Sequence, residues 1–341
     1  MRSLRSAAGL GFVLFAVFVT TPGFSSDPTT VRIANATFSE NVVPLWMGAD
    51  MGFFKKHGAN VEVLQIRTGP LIMAAMASGD LQMAYTAPGP VLSAKASGMD
   101  VVFFAGIVNK ADGEIVSSRN VKSPQDLKGK RLGVQSIGGG AWSKAMVGLE
   151  SLGLEPTRDK ILVQVVGDFP VLVQALASNN IDAAYLSYAF ANDTKKKGFH
   201  SLVDLGQTGV SYQGVALAAR RAYLSANTDT VDAVLRGILE SIVFVKNPAN
   251  KAAVIQALMK HLHLAQPADA ELGYQVLQIL LDYDIRPSRA GIRTIYRLMV
   301  PVNPQLQSIK SDDVIDDGPV QRLEKSGFLG VVSKTSKREQ K

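Results

Sequence analysis

The stretch "SIGGGAW", Ser136 to Trp142, sets three glycines between a serine and a tryptophan. Glycines let a backbone approach a bound group closely. Free N–H groups at a helix start, with the helix dipole behind them, favour an anion or a polar oxygen. Ser136, Gly138, Gly139 and Gly140 are therefore the first candidates for ligand contact, although a plain strand-to-helix turn has the same composition. "TGP" follows the same logic, with Pro70 suited to the first turn of a helix, and adds Thr68 and Gly69. Arg67 beside it has a fork of donors for an anionic ligand, or a place on the rim. Trp142, Tyr188 and Tyr212 offer flat faces to a planar ligand; Trp46 does too, but it falls in a helical apolar stripe and is expected in the core.

Other chemistries are poorly supplied. The chain has no cysteine, which removes disulfides, thiolate metal or iron–sulfur sites, cysteine nucleophiles and a lipid anchor on an N-terminal cysteine. His261 and His263 form "HLH", but residues two apart on a helix do not share a face, and no third ligand is near. "GVQSIG" has one residue too many before its serine for a nucleophile elbow, and none of the four histidines is an evident triad partner. Asp182 sits at the wrong end of its strand to meet a ligand and is expected to cap a turn. No catalytic residue, no metal and no cofactor is expected.

The elements that must hold these residues read as strand–helix–strand–helix. "TVRIANA" and "VEVLQI" are strands, separated by the helical stretch "VVPLWMGADMGFFKKHG" with Gly58 as its cap. A helix from "TGP" to Gly79, the strand "LQMAYTA", the helix "VLSAKASG" and the strand "VVFFAGIV" follow. Apolar strands alternating with helices imply an α/β fold, a mainly parallel sheet covered on both faces. The order then restarts: strand Arg131–Val134, a glycine-rich turn into a helix, "KILVQVVG", "FPVLVQALASN" and "IDAAYLSY". "PLIMAAMASGDLQMAY" (Pro70–Tyr85) and "PVLVQALASNNIDAAY" (Pro170–Tyr185) share six of sixteen positions at a spacing of 100 residues. Residues 28–109 and 110–212 thus read as two copies of one α/β lobe. From residue 213 to 330 the chain turns helical, and these helices are expected to pack on the first lobe. In open parallel sheets ligands sit beyond the carboxyl ends of the strands. That rule adds Asn35 and Thr37, Thr86 and Ala87, Asp168, and Ser187 beside Tyr188.

The chain has 341 residues and a formal net charge of +7. "MRSLR", an apolar run of about a dozen residues and "TTPGFSS" are laid out like a secretory signal peptide; the run is short against the ~20 residues of a spanning helix. Cleavage after Ser25 is expected, giving an exported, periplasmic protein of about +5, since Arg2 and Arg5 go with the signal. The basic residues are scattered, apart from Lys195–Lys197 and the tail at 331–341, which is expected to be flexible. No basic stripe or known motif marks a nucleic-acid partner.

Taken in order, "VPLWMGADMGFFKKHGANVEV", "SPQDLKGKRLGV", "SIGGG" and "ALASNNIDAAY" resemble the periplasmic substrate-binding proteins of the nitrate/sulfonate/taurine and thiamine-precursor class, the NMT1/THI5-like and SsuA-like family. The resemblance covers residues 30–260. It implies a two-lobe, type II periplasmic binding protein, with mixed, mainly parallel sheets, two crossover strands and a ligand cleft between the lobes. It also implies a small-molecule ligand, an ABC permease with its ATPase as partner, and a monomer. Hinge bending would centre near Val108–Asp112 and Val210–Val215. Family members usually carry an acidic residue followed by proline after the second-lobe strand; here Ser187 and Tyr188 stand there. A receptor that senses the ligand, or an enzyme on the same fold, are the alternatives. The related pyrimidine-precursor synthases use a cysteine-rich motif that this chain lacks.

Overall fold

A computed structural model describes residues 30–330 except Thr37. The expected signal peptide, the 331–341 tail and the Thr37 candidate therefore lie outside the described residues.

The first lobe opens with strand β1 (Val31–Asn35), a 3-10 turn (Glu40–Val42) and helices α1 (Val43–Asp50) and α2 (Phe53–Lys56). The sequence predicts one helix here. Gly52, left-handed at φ 71°, splits it. Strand β2 (Val61–Gln65), helix α3 (Gly69–Ser78), strand β3 (Met83–Thr86), helix α4 (Pro88–Ala96) and strand β4 (Val101–Lys110) follow. The chain then crosses to the second lobe. That lobe holds β5 (Glu114–Ser117), β6 (Arg131–Val134), α5 (Gly140–Ser151), β7 (Leu162–Val165), α6 (Phe169–Ala177), β8 (Ala183–Leu186), α7 (Tyr188–Lys196) and β9 (His200–Asp204). It returns as β10 (Ser211–Arg220), followed by α8 (Arg221–Ala226), α9 (Thr228–Lys246), α10 (Lys251–Leu262), α11 (Pro267–Leu280), α12 (Arg289–Met299) and α13 (Gly318–Lys325).

The two sheets have the same layout. One runs β2-β1-β3-β10-β4 and the other β7-β6-β8-β5-β9. In each, the strand in fourth place runs against both neighbours: β10 against β3 and β4, β5 against β8 and β9. Both reversed strands follow a crossing between lobes. The sequence reading has no counterpart for β5 and β9, which are short and carry no alternation of their own. The repeated stretch folds as α3–β3 and α6–β8, each helix opened by proline in its first turn.

Alternation along the strands splits the first sheet's side chains between two layers. Ile33, Tyr85, Phe104 and Leu217 face α1, α9 and α10. Ala34, Ala84, Phe103 and Ala218 face α3, α4 and α12. The second layer continues without a break into the core of the other lobe through Ile115, Leu132 and Leu172. Each fully buried aliphatic side chain contributes about 1.5–3 kcal/mol, so this layer holds the lobes in contact as well as each lobe together. The C-terminal helices pack on the first lobe but also reach the second. Lys196 of α7 pairs with Asp269 of α11, and Arg297 of α12 forks onto Glu150 of α5. Lys195 pairs with Glu114 and Lys197 with Asp193, so the basic triplet is spent within the fold.

Candidate functional site

Helices α3, α4, α5, α6 and α7 begin at the carboxyl ends of strands that run parallel in their sheets. The starts of α3, α4 and α5 meet where the lobes touch. Gly69 opens α3, Ala87 precedes α4, and Gly139 and Gly140 begin α5; all four line an inter-lobe cavity of about 30 Å³. By the volume a water centre needs, this is room for about two water-sized groups. Thr86 and Ser136 line it too, with Ser39, Gln135, Phe169 and Tyr185. The lobes are shut tightly around it. Gln135 donates from the second lobe to the carbonyls of Ala36 (3.2 Å) and Arg67 (2.9 Å) in the first. A Cβ on Gly89 would stand 1.8 Å from the Gly138 carbonyl oxygen, so only glycine permits this contact.

Lys144 supplies the cavity's charge. One turn into α5 from Gly140 and Ala141, it is 6% exposed and lines the same space. Its ammonium lies 2.5 Å from Asp112 Oδ1 and donates to the Tyr185 hydroxyl at 3.0 Å. Asp112, fully buried in the first crossing, accepts from Asn41 Nδ2 at 2.8 Å. The Asn41 carbonyl in turn accepts from the Tyr85 hydroxyl at 2.7 Å. One buried chain therefore joins the two tyrosines of the sequence repeat, through the crossing between the lobes. Burial pushes both phenols well above their ordinary range, and for Tyr185 the charges of Asp112 and Glu40 add to the effect, so both stay neutral. A cation, helix starts and hydroxyls around one cavity suit a small anion. Ser39 Oγ, 1% exposed at the cavity wall, has no hydrogen-bond partner among the described residues.

The remaining predicted residues stand apart from the cavity. Asn35 is buried at the end of β1, its amide donating weakly to Leu64 O at 3.4 Å. Arg67 is exposed; its carbonyl makes the cross-lobe contact. Thr68 and Asp168 precede α3 and α6 without a side-chain cap, and Phe169 instead of Asp168 reaches the cavity. Gly138, at φ 73°, turns its carbonyl onto Gly89. Trp142 lies on the opposite side of α5 from Lys144, beside Met146 and Leu298 in a separate groove, because residues two apart on a helix diverge. The Tyr188 phenol turns away to bond Asp204 and lines a groove behind the crossings. Tyr212 is fully buried under Gly291 of α12. Asp182 ties the lower end of β8 to Arg131 at 2.8 Å. His261 stacks on Trp46 (centroids 4.5 Å apart) and bonds Asp50, while His263 ends α10 at φ 53°.

Sequence reasoning missed Ser39, Gln135, Asp112, Lys144 and Tyr185. For Lys144 a signal existed: it follows Gly140 by four residues on one helix face. Asp112 has none, since it is positioned by long-range contacts alone.

Residues 39–252 match the family described as NMT1/THI5 like. The taurine-binding periplasmic protein of Escherichia coli is 29% identical over 188 residues, covering 54% of this chain and 56% of that protein. The alkanesulfonate-binding protein SsuA of Xanthomonas axonopodis pv. citri, solved with MOPS bound, superposes with a TM-score of 0.70 at 20% identity, covering 86% of this chain and 99% of that one. The periplasmic nitrate-binding protein NrtA of Synechocystis PCC 6803 gives 0.73 at 16% identity, covering 88% and 89%. The fold is that of a two-lobed periplasmic binding protein.

Proposed function

The chain belongs to the NMT1/THI5-like family, and on that premise we propose that it is an extracytoplasmic solute-binding protein, not an enzyme, which closes on a small anion and delivers it to an ABC permease and its ATPase. The observation that carries this reading is the convergence of three helix starts and the Lys144 ammonium on one inter-lobe cavity. Backbone N–H groups and a buried cation recognise an oxyanion such as a sulfonate or nitrate; a heterocyclic, pyrimidine-like acid is the bulkier alternative. The signal-like N-terminus and the periplasmic relative support a periplasmic location, where it would act as a monomer.

The test is thermal unfolding of the mature chain against nitrate, taurine, alkanesulfonates, carboxylates and pyrimidines. At 100 times its Kd, a true ligand adds about 2.7 kcal/mol to stability. A panel in which no anion raises the melting temperature removes the reading.

A further inference from the structure

Glu40 opens the 3-10 turn after β1 and is fully buried. It lies on the first lobe but faces the second: Oε1 accepts the backbone N–H of Tyr188, the first residue of α7, at 3.1 Å. Ser187 before it supplies no side-chain cap, so the carboxylate serves that helix start from across the interface. Oε2 has no hydrogen-bond partner among the described residues. The groups around it come from each neighbouring element: Asp112 from the crossing, Lys144 from α5, Tyr185 from β8 and Ser187 before α7. Helix α11 meets it through Gly273, which carries no side chain. Lys144 is already held by Asp112. Two carboxylates thus lie near one ammonium in a dry interface; Asp112 Oδ1 has that ammonium at 2.5 Å, while Glu40 Oε2 has neither an ion-pair nor a hydrogen-bond partner among the described residues.

We infer that closure of the two lobes takes up a proton at Glu40, so that mild acid favours the closed, solute-holding form. When the lobes part, the interface between the 3-10 turn and α7 opens and the carboxylate regains water. When they shut, burial first and the Asp112 charge second favour its neutral form, pushing its pKa up from the ordinary value. A group whose pKa is raised by closure favours closure below its open-state pKa, and that advantage is lost as pH rises through the closed-state value. The neutral acid still offers its carbonyl oxygen to the Tyr188 N–H, so protonation keeps the α7 contact. This inference rests on the reading of the protein as a receptor that opens and closes.

The chain has no cysteine of its own, so the pair Glu150→Cys and Arg297→Cys provides the only thiols. These side chains meet across the lobes and are 52% and 58% exposed. Dibromobimane bridges the two thiols only when the lobes are shut, and its rate reports the closed fraction even where that form is rare. The measurement compares this parent with the same parent carrying Glu40→Gln, a neutral side chain that keeps the acceptor for Tyr188. Dividing the two rates at each pH cancels the titration of the thiols. We expect the parent to be slower at pH 8, on the order of 10-fold. The ratio should climb as the pH falls from 8 and approach one only below the ordinary carboxylate pKa, near pH 4. A ratio that stays flat across this range, or a slower Glu40→Gln protein, overturns the inference. Both rates are read without solute. Parallel titrations with nitrate and taurine test the receptor reading separately: an anion that speeds bridging with a flat ratio keeps the receptor and removes the proton.

Discussion

Lys144 holds its ammonium between Asp112 and Tyr185 inside a cavity wall, and that position separates its two contributions. Lys144→Met leaves Asp112 buried without its counter-charge, at a cost of about 3–5 kcal/mol measured by denaturant unfolding. Adding Asp112→Asn removes the stranded charge while keeping an acceptor for Asn41, so most of that stability returns. Anion affinity does not return with it. Losing a charge-assisted contact weakens binding by about 10- to 100-fold. A double variant that binds its anion as tightly as the parent would show that the helix starts alone hold the solute. The residue scale is also where sequence reading is weakest. "SIGGG" names the loop that lines the cavity, because glycines before a helix are a local signal. The pairing of Asn41, Asp112 and Lys144 joins positions 71 and 32 residues apart, and no local pattern encodes it. Where the family resemblance leads one to expect an acidic residue and a proline, Ser187 and Tyr188 stand, and the Tyr188 N–H is met by Glu40 of the other lobe. That contact is visible only in three dimensions.

Helix α4 sets how closely the lobes approach. Within its own lobe its Gly89 meets the end of the flexible Met299 side chain, while the Gly138 backbone carbonyl of the other lobe presses on it. Alanine is favoured over glycine in a helix by about 1 kcal/mol, so Gly89→Ala should leave the melting temperature unchanged or higher. The added methyl, at 1.8 Å from a backbone oxygen, cannot coexist with the closed form. We expect solution X-ray scattering to show a radius of gyration that no longer shrinks on adding an anion, and the anion-induced melting shift to vanish. Normal closure in this variant would mean that the contact at Gly89 does not limit the approach of the lobes. Elements were the most legible scale. The prolines at 70 and 170, the glycine at 79 and the strand Arg131–Val134 fall where their chemistry puts them. The strand reversal in each sheet was not legible, since β5 and β10 acquire their direction from crossings whose register is set by partners far along the chain.

At the scale of the whole molecule, the closed form is held by two kinds of contact that respond differently to salt. At the rim, Arg297 forks onto Glu150 at 2.9 and 2.8 Å and Lys196 meets Asp269 at 2.9 Å. Both members of the first pair are more than half exposed. Such pairs are worth about 0–1 kcal/mol and are screened once the Debye length falls toward ~3 Å near 1 M salt. In the interior, Gln135 reaches two carbonyls of the other lobe, and the apolar layer from Phe103 to Leu172 runs through the interface. These contacts are little affected by salt. Arg297→Ala should therefore raise the anion Kd by no more than about 5-fold at low salt. The ratio to the parent, measured by calorimetry at matched salt so that chloride competition cancels, should approach one as salt rises. A variant that loses binding outright, or a ratio indifferent to salt, would place the closing free energy at the rim. The symmetry of the fold argues for the interior. Tyr85 and Tyr185 occupy equivalent places in two copies of one lobe, and the buried chain between them passes through the crossing that any hinge motion must bend.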